Sequence, residues 1–376
     1  MTPLLLHAFP GFTTGGAQRR FAAIANRWGR EFRHAIVAMD GVTDARHLLD
    51  PGLDVTFPAL AVRKGDTLGT LRALRGLLRS LRPATLVTSN WGTIEWAVAN
   101  RLPHVPHLHM EDGFGPEERD RQLPRRVLAR RLLLRRARLL VPSRNLERIA
   151  REEWRLDPLY VANGVDLARF APAPRPTAPM ASDMHGPPVV GTVAGLRPEK
   201  NLARLLHASA IAARTAPHRL LIVGDGPERG TLEALARDLS LDAEFAGPIA
   251  DPAPLYARMD VFALSSDTEQ MPLSLLEAMA AGLPVAATAV GDVAAMVAEA
   301  NRAFLAPREP GALAEALAAL LADPGLRARL GGANRARAEA AYDQETMFAT
   351  HAALWRDPMQ PGAAGVIAMA PAVERS

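Results

Sequence analysis

The sequence predicts an α/β fold made of two doubly wound parallel-sheet domains. Short apolar runs alternate with amphipathic segments, which is the pattern of parallel strands covered by helices. This alternation occurs twice, and a proline-rich segment at residues 171–188 separates the two series as an interdomain linker. The chain has 376 residues with 48% hydrophobic content, so it is long enough to fill two cores.

The first series, residues 1–170, begins with an apolar strand at residues 3–9 and a glycine-containing loop at residues 10–16. Glycine permits close approach of the backbone to a ligand, so this loop is a candidate binding element. Amphipathic periodicity predicts helices at residues 17–28, 67–81 and 124–136. The other predicted strands are residues 34–38, 84–88, 105–109 and 139–141.

The second series, residues 189–340, contains six apolar runs of strand length. They are residues 189–194, 219–223, 243–246, 261–264, 284–288 and 303–305. Helices rich in alanine and leucine follow from about residue 312. Residues 341–376 are predicted to be a C-terminal helix followed by a loose tail.

The stretch around residues 261–288 carries the most specific chemistry. A buried strand is followed by a loop and then by a helix that begins at Pro272 and ends at Gly282. A helix N-terminus at the carboxyl end of a parallel strand favours a phosphate, because it presents free backbone N–H groups. Glu269 in the loop and Glu277 in the helix can then approach the same ligand.

Composition excludes several kinds of site. The chain has no cysteine, so it has neither disulfides nor a thiolate nucleophile or metal ligand. No apolar stretch approaches the length of about 18 residues needed to span a bilayer. We expect a cytoplasmic protein, with the inner face of the membrane as an alternative location.

Basic residues crowd between Arg119 and Arg138, although the net charge of the chain is only +4. One interpretation is a solvated helix face rich in arginine. The alternative is peripheral association with an anionic membrane, where each basic group contributes about 1 kcal/mol. Nucleic acid is not expected as a partner, because no aromatic residues interleave with the basic ones and no binding module is evident.

Six segments, in order along the chain, resemble retaining glycosyltransferases of family 4. They are GGAQRR at 15–20, VPSRNLERI at 141–149, NGVDLARF at 163–170, LRPEKN at 196–201, IVGDGPER at 222–229 and TEQMPLSLLEAMAAGLPV at 268–285. The resemblance implies the GT-B fold, in which two Rossmann-like domains face a central cleft. It also implies a C-terminal helix that crosses back to the N-terminal domain.

The resemblance implies transfer of a sugar from a nucleotide diphosphate donor, such as a UDP- or GDP-sugar, with retention of the anomeric configuration. The donor would lie mainly on the C-terminal domain and the acceptor on the N-terminal one. No protein nucleophile is required if the acceptor attacks from the face that the diphosphate leaves. A role in cell-envelope or exopolysaccharide synthesis, with a glycan, lipid-linked or small-molecule acceptor, is the expected setting.

The same resemblance implies roles for individual residues. Glu269 would hydrogen-bond the donor sugar, Glu277 would hold the ribose hydroxyls, and Lys200 would face the diphosphate. Gly15 and Gly16 would approach the donor through their backbone. The remaining residues expected at the donor are Arg197, Gly224, Asp225, Gly226, Gln270, Met271, Pro272 and Leu273.

One position departs from the family pattern. Gly195 stands where the family usually has an arginine, which removes a positive charge from the expected diphosphate site. Arg197, two residues later, either turns toward the pocket in its place or points to solvent. The sequence leaves both orientations open.

The acceptor side is predicted at the end of the strand near residue 109. His107, His109, Glu111 and Asp112 lie near the carboxyl end of that strand, the edge where open parallel sheets bind ligands. His109 is the catalytic candidate if the family's histidine falls at the strand end, and Asp112 replaces it if the position lies three residues later. The two histidines also suggest a metal, but no third ligand of suitable spacing is evident.

The leading hypothesis is therefore a glycosyltransferase with no cofactor and no required metal. A nucleotide-sugar 2-epimerase shares the fold, and a non-catalytic sugar-nucleotide-binding protein is the alternative to which Gly195 points. An NAD-dependent dehydrogenase is not expected, because the chain lacks a full G-x-G-x-x-G turn with an acidic residue about 20 positions on.

Overall fold

The structure is a computed structural model that describes residues 2–60, 65–118, 121–172 and 186–359, and it divides into two compact units. The first comprises Met1–Asn163 and Glu345–Ser376, and the second comprises Gly164–Gln344. The division comes before the predicted boundary at residue 170. Residues 164–170 join the second unit because Val165 N donates to Tyr342 O (2.8 Å) and the Phe170 ring packs on Tyr256. Most of the predicted linker and the tail from residue 360 lie outside the described residues.

The first unit contains a seven-stranded sheet in which every neighbouring pair is parallel. The strands are β1 (Leu4–Phe9), β2 (Arg33–Ala38), β3 (Val55–Thr56), β4 (Thr85–Ser89), β5 (His107–Met110), β6 (Arg138–Val141) and β7 (Leu159–Tyr160). Their order across the sheet is β3-β2-β1-β4-β5-β6-β7. This order is that of a doubly wound fold.

Helices cover both faces of the first sheet. They are α1 (Gly16–Trp28), α2 (Thr67–Leu81), α3 (Glu95–Ala99), α4 (Pro124–Leu133), α5 (Arg144–Glu152) and α13 (Gln344–Arg356). Side chains alternate along β1, so Leu5 packs in a core with Phe348 and Trp355 of α13, whereas Leu6 packs in a core with Leu74 of α2. The C-terminal helix therefore belongs to the core of the first unit.

The second unit contains a six-stranded parallel sheet. Its strands are β8 (Val189–Val193), β9 (Arg219–Val223), β10 (Ala243–Gly247), β11 (Val261–Leu264), β12 (Val285–Thr288) and β13 (Leu305–Ala306), in the order β10-β9-β8-β11-β12-β13. Its helices are α6 (Leu202–Ala212), α7 (Arg229–Asp238), α8 (Ala253–Tyr256), α9 (Leu273–Ala280), α10 (Val293–Met296), α11 (Pro310–Ala322) and α12 (Pro324–Ala341).

The predicted fold class is confirmed, and the differences are local. The predicted helix at 124–136 ends as α-helix at Leu133 and continues as a 3₁₀ turn, Leu134–Arg136. The strand predicted at 303–305 is shifted, because residues 299–304 form a 3₁₀ helix and β13 follows it. Pro272 precedes α9 instead of being its first residue.

Each sheet has one point where the strand order reverses direction, between β1 and β4 in the first and between β8 and β11 in the second. In open α/β sheets, ligands bind beyond the carboxyl ends of the strands at this switch point. No helix of the described residues has both the length and the hydropathy needed to cross a membrane.

Candidate functional site

Lys200 and Glu269 meet at the switch point of the second sheet. Lys200 ends a 3₁₀ turn that follows β8, and Glu269 lies in the loop that follows β11. Lys200 Nζ donates to Glu269 Oε1 at 2.6 Å, and the two side chains are 19% and 8% exposed. The structure thus joins two residues that are 69 positions apart in the sequence, at the place where a doubly wound sheet binds its ligand.

Short hydrogen bonds hold the loop that carries Glu269. Ser266 Oγ donates to Glu269 Oε1 at 2.7 Å, and Thr288 Oγ1 on β12 donates to Ser266 O at 2.7 Å. Gly291 has a φ of +52°, and a Cβ there would lie 2.0 Å from Glu269 O. Glu269 is therefore held in two ways: a hydrogen bond to its side-chain oxygen and the close packing of Gly291 against its backbone.

A buried network connects the loops that carry Lys200 and Glu269. Arg204 of α6 donates to Asp267 Oδ1 and to Ser265 O, both at 2.6 Å. Asn201 Nδ2 also donates to Asp267, at 3.2 Å, from a residue with a φ of +43°. Because Arg204 and Asn201 both belong to the segment that follows Lys200, their hydrogen bonds to Asp267 fix the spacing of the two loops.

The start of α9 lies in the same loop and carries no side-chain cap. Pro272 occupies the N-cap position with extended backbone, and Leu273 is the first helical residue. Met271 is buried, and Gln270 O accepts from Asp292 N at 3.1 Å. The first turn therefore offers backbone N–H groups and the positive end of the helix dipole next to the Lys200–Glu269 pair.

Glu277 is held by a tyrosine that the sequence analysis missed. Tyr256 OH donates to Glu277 Oε2 at 2.6 Å and lies 3.1 Å from Ser274 O. Burial, followed by the charge and hydrogen bond of Glu277, raises the pKa of Tyr256 well above its ordinary value. The phenol stays a hydrogen-bond donor at any physiological pH and orients the carboxylate.

Gly224 and Gly226 pack the loop after β9 against the loop after β8. A Cβ on Gly224, whose φ is +134°, would lie 1.9 Å from Ala194 O, and one on Gly226 would lie 2.4 Å from Leu196 O. Leu196 N donates to Asp225 O at 2.9 Å across the same contact. The predicted donor-binding segment therefore has a packing role, and the Asp225 side chain is half exposed.

Arg197 points to solvent, one of the two orientations predicted for it. Its side chain is 58% exposed and its Nε lies 3.0 Å from Glu199 Oε1. A Cβ built on Gly195 would nevertheless be 3.3 Å from the same Nε. The arginine therefore lies beside the backbone position where the family pattern has its cation.

In the first unit, the predicted glycines and Asp112 gather at the carboxyl edge of the sheet. Gly15 is the N-cap of α1 and Gly16 its first residue. Asp112 Oδ1 lies 2.7 Å from Arg20 NH2 of the same helix, and Asn90 after β4 accepts from Asp112 N at 2.7 Å. Asp112 is 19% exposed, so it is partly open to solvent at this edge.

His109 is fully buried below that edge. Its Nδ1 lies 2.7 Å from Thr88 Oγ1, and its Nε2 lies 3.5 Å from Glu111 Oε2. The same Thr88 hydroxyl lies 2.8 Å from His107 Nε2. Burial, then the neighbouring histidines, lower the pKa of His107 to about 3. Of the two alternatives for the acceptor side, Asp112 is partly exposed, whereas His109 is buried and supports the end of β5 from inside the core.

A buried ion network lies next to His109. Arg130 of α4 is fully buried and donates to Glu111 at 3.2 Å and to Glu118 at 3.1 and 3.0 Å. Its guanidinium also stacks on aromatic rings, including that of Trp154 at 5.0 Å. Burial would raise the pKa of Glu118, but the hydrogen bond and charge of Arg130 lower it below the ordinary value.

Several of these residues carried no sequence signal of their own. Ser266 and Asp267 lie three and two residues before Glu269, and that proximity could have indicated them. Tyr256 and Arg204 lie in other helices, and only the folded chain brings them to the site. Within the ranges described above, no group of three or more His, Asp or Glu side chains is arranged to hold a metal ion.

Two family models match the chain. The model described as Glycosyltransferase Family 4 matches residues 14–169, and the model described as Glycosyl transferases group 1 matches residues 187–323. The chain belongs to the family 4, group 1 glycosyltransferases. The two matches fall on the two units, so the membership extends over both.

Curated relatives of the family match parts of the chain. A GDP-mannose-dependent monoacylated alpha-(1-6)-phosphatidylinositol monomannoside mannosyltransferase of Corynebacterium glutamicum is 34% identical over 50% of this chain and 53% of its own length. A GDP-mannose-dependent alpha-mannosyltransferase of Mycobacterium tuberculosis is 39% identical over 35% of this chain and 33% of its own. The chain thus spans about a third to a half of the length of these relatives.

Solved structures confirm the GT-B fold. Anabaena Alr3699/HepE, solved in complex with UDP-glucose, superposes with a TM-score of 0.77, covering 93% of this chain and 98% of that one at 21% identity. Sucrose-phosphate synthase from Thermosynechococcus elongatus superposes with a TM-score of 0.75, covering 95% and 99% at 20% identity.

Proposed function

We propose that this protein transfers a sugar from a nucleotide diphosphate sugar to a hydroxyl acceptor with retention of configuration. The observation that carries the proposal is the contact of Lys200 with Glu269 at the switch point of the second sheet, beside an uncapped helix start. A cation and helix N–H groups suit a diphosphate, and a carboxylate suits sugar hydroxyls. The diphosphate and the sugar of a nucleotide sugar would therefore both have suitable binding groups at this one site.

The reaction would break the bond between the anomeric carbon and the diphosphate oxygen. The acceptor oxygen would form its bond to the same face of that carbon, and its proton would pass to the departing diphosphate. Negative charge grows on the diphosphate as the bond breaks, and Lys200 would stabilise it. Glu269 would hold the sugar, and Glu277, oriented by Tyr256, would hold the ribose.

No metal is proposed for this chemistry, because Lys200 and the start of α9 already supply positive potential at the expected diphosphate position. Asp112 is the proposed acceptor-side group, since it is the partly exposed residue at the carboxyl edge of the first sheet. His109 would have an indirect role, because it supports the end of β5 next to Asp112 and does not itself reach the acceptor.

The related proteins guide the choice of substrates. The Corynebacterium relative is named for GDP-mannose and a phosphatidylinositol mannoside, and the Anabaena structure holds UDP-glucose. Both donors are therefore proposed as first candidates, and a lipid-linked or glycan acceptor of the cell envelope is proposed as the partner.

The test is nucleotide release from a panel of UDP- and GDP-sugars, with and without acceptor and in the presence of EDTA. The proposal expects acceptor-dependent release of one nucleotide, insensitivity to EDTA, and a product whose anomeric configuration by NMR equals that of the donor. Binding of a nucleotide sugar without turnover would favour a non-catalytic binding protein instead. Inversion at the anomeric carbon would contradict the retaining assignment.

A further inference from the structure

The arginines of α4 divide into an inward pair and an outward group. Arg126 and Arg130 face the first unit, where they pair with Glu117, Glu118 and Glu111. The outward group consists of exposed arginines on α4 and the 3₁₀ turn that follows it: Arg125, Arg131, Arg135 and Arg136. The inward pair therefore has a structural role, and the outward group needs a separate explanation.

The outward arginines make no ion pair within the described residues. Some exposed arginines elsewhere on the same unit are paired, as Arg148 with Glu152 and Arg33 with Asp54, but here four unpaired ones lie close together in sequence. Four unneutralised cations on about three turns of helix repel one another, so the face is electrostatically unfavourable in isolation. Such a face is complementary to an anionic surface.

An open cleft continues this face toward the loop before β5. It encloses about 680 Å³ with its solvent-open mouth included, and its lining includes Arg101, His104, Arg135 and Arg136 but no carboxylate. The lining residues precede β5 and β6, so the cleft lies at the amino edge of the first sheet. It is therefore separate from the carboxyl edge, where Gly15 and Asp112 lie.

Exposed leucines are interspersed with these arginines. Leu128 and Leu132 lie one turn apart on α4 and are 55% and 47% exposed, and Leu102 beside Arg101 is 69% exposed. Protruding leucines do not help to solvate an arginine-rich face, so solvation alone does not account for them. Leucine between basic residues on an exposed helix is the composition of a segment that lies in a membrane interface.

We propose that this basic face, formed by the outward arginines, Arg101, His104 and the three leucines, docks on an anionic phospholipid surface. The cleft would receive lipid phosphates, and the leucines would enter the headgroup boundary. The positive charge of the face favours an anionic lipid over a neutral one. The exposed leucines favour a membrane over free phosphate, because only a membrane has an apolar interior to receive them. The proposal concerns the first unit alone and does not depend on the glycosyl-transfer proposal.

The experiment measures co-sedimentation of the full chain with vesicles of equimolar phosphatidylglycerol and phosphatidylcholine. Binding is expected to weaken strongly between about 0.1 M and 1 M salt, because the screening length falls from about 10 Å to 3 Å. Replacing Arg131, Arg135 and Arg136 by glutamine is expected to weaken it about a hundredfold, at about fivefold for each charge removed.

Matched controls remove the same charge and apolar area elsewhere. Arg214→Gln, Arg237→Gln and Arg329→Gln alter exposed arginines of the second unit that make no ion pair in the described chain, and binding should be unchanged. Leu128→Ser with Leu132→Ser should weaken binding, whereas Ile211→Ser with Ile249→Ser, at exposed positions of the second unit, should not. Far-UV circular dichroism, which reports on both units, verifies that each variant is folded.

Three outcomes would overturn the proposal. The first is equal binding to pure phosphatidylcholine vesicles. The second is equal loss of binding in the two arginine triple variants, which would indicate a general charge effect. The third is dependence on the arginines but not on the leucines, together with displacement by inorganic phosphate at constant ionic strength, which would indicate a free-phosphate site. Vesicle binding is measured without substrates, so its failure is distinct from a failure of catalysis.

Discussion

Lys200 and Glu269 neutralise each other across a 2.6 Å contact. In the proposed function each would also act separately on a nucleotide sugar, since the ammonium suits phosphate and the carboxylate suits sugar hydroxyls. The motifs in the sequence indicate both residues, but not that they touch. That contact depends on β8 and β11 being neighbours, although three helices and two strands lie between them along the chain.

Tyr256→Phe removes the hydroxyl that donates to Glu277 and keeps the ring that packs on Phe262. A hydrogen bond to a charged group contributes about 1.5–3 kcal/mol, so the KM for the donor is expected to rise about tenfold or more with a smaller change in kcat. Steady-state kinetics with varied donor measure this.

The control for that variant is Tyr342→Phe, which changes a buried tyrosine of the same unit whose hydroxyl faces Ala295 O. Its KM should remain that of the parent. An unchanged KM in the Tyr256 variant would contradict the role assigned to Glu277.

Burial of His109 and Arg130 illustrates what local sequence leaves undetermined. Both residues belong to polar segments, and a run of arginines in a helix gives no sign of which ones turn inward. Arg130 is buried because Glu111, Glu118 and the Trp154 ring surround it, and these come from three other segments of the chain. A buried cation is stable only when such partners are present.

Among the elements, long apolar strands and amphipathic helices are predicted well, because their periodicity extends over several turns or residues. The two-residue strands β3 and β7 and the short helix α3 have no such signal. They form because the neighbouring strand and helix provide their hydrogen bonds and packing. The strand predicted at 303–305 is shifted for the same reason. The periodicity of so short a strand is too weak a signal to show that residues 303 and 304 end a 3₁₀ helix and that β13 begins only at Leu305.

Gly224→Ala tests the contact between the loops after β8 and β9. The added Cβ would lie 1.9 Å from Ala194 O at a φ of +134°, so either loop must move. The free energy of unfolding is expected to fall by about 2 kcal/mol or more, a size typical of strain at a special backbone position. Urea unfolding followed by circular dichroism measures it.

Gly230→Ala is the matched control, because Gly230 lies in α7 with no atom within 4 Å of the added Cβ. Alanine is the better helix former, so this variant should be neutral or more stable by up to about 1 kcal/mol. Equal stability of the two variants would show that the loop contact is not tight.

At the scale of the molecule, acid should destabilise the first unit more than the second, because four histidines whose pKa is lowered by burial lie in the first unit and one, His218, in the described part of the second. Burial is the main cause that lowers the pKa of His34 and His351 to about 4 and that of His107 to about 3, and burial also lowers the pKa of His7 well below its ordinary value. Between pH 6.5 and 4 the unfolded chain binds protons that these folded rings do not. Stability is therefore full above pH 6.5 and decreases as the pH falls, by at most about 1.4 kcal/mol per pH unit for each ring.

Tryptophan fluorescence can follow this unit alone, because all five tryptophans, at positions 28, 91, 96, 154 and 355, belong to it. Urea midpoints of the fluorescence change are expected to fall from pH 7 to pH 5. Replacing His351 by asparagine should reduce the number of protons taken up on unfolding by about one, and so make the pH dependence of the midpoint less steep. The exposed His47→Asn should leave this dependence unchanged. A pH-independent midpoint would contradict the neutral state of these rings.

Glu269→Gln, compared with the parent and with the exposed control Glu299→Gln, is the most direct test of the Lys200–Glu269 site. It keeps the shape of the side chain and removes its charge, in an assay of acceptor-dependent nucleotide release. We expect a loss of kcat of about a hundredfold or more, as for other groups that stabilise a charged transition state, with the control unchanged. Unchanged turnover in the Glu269 variant, with its fold intact, would contradict the assignment of the active site to this pair.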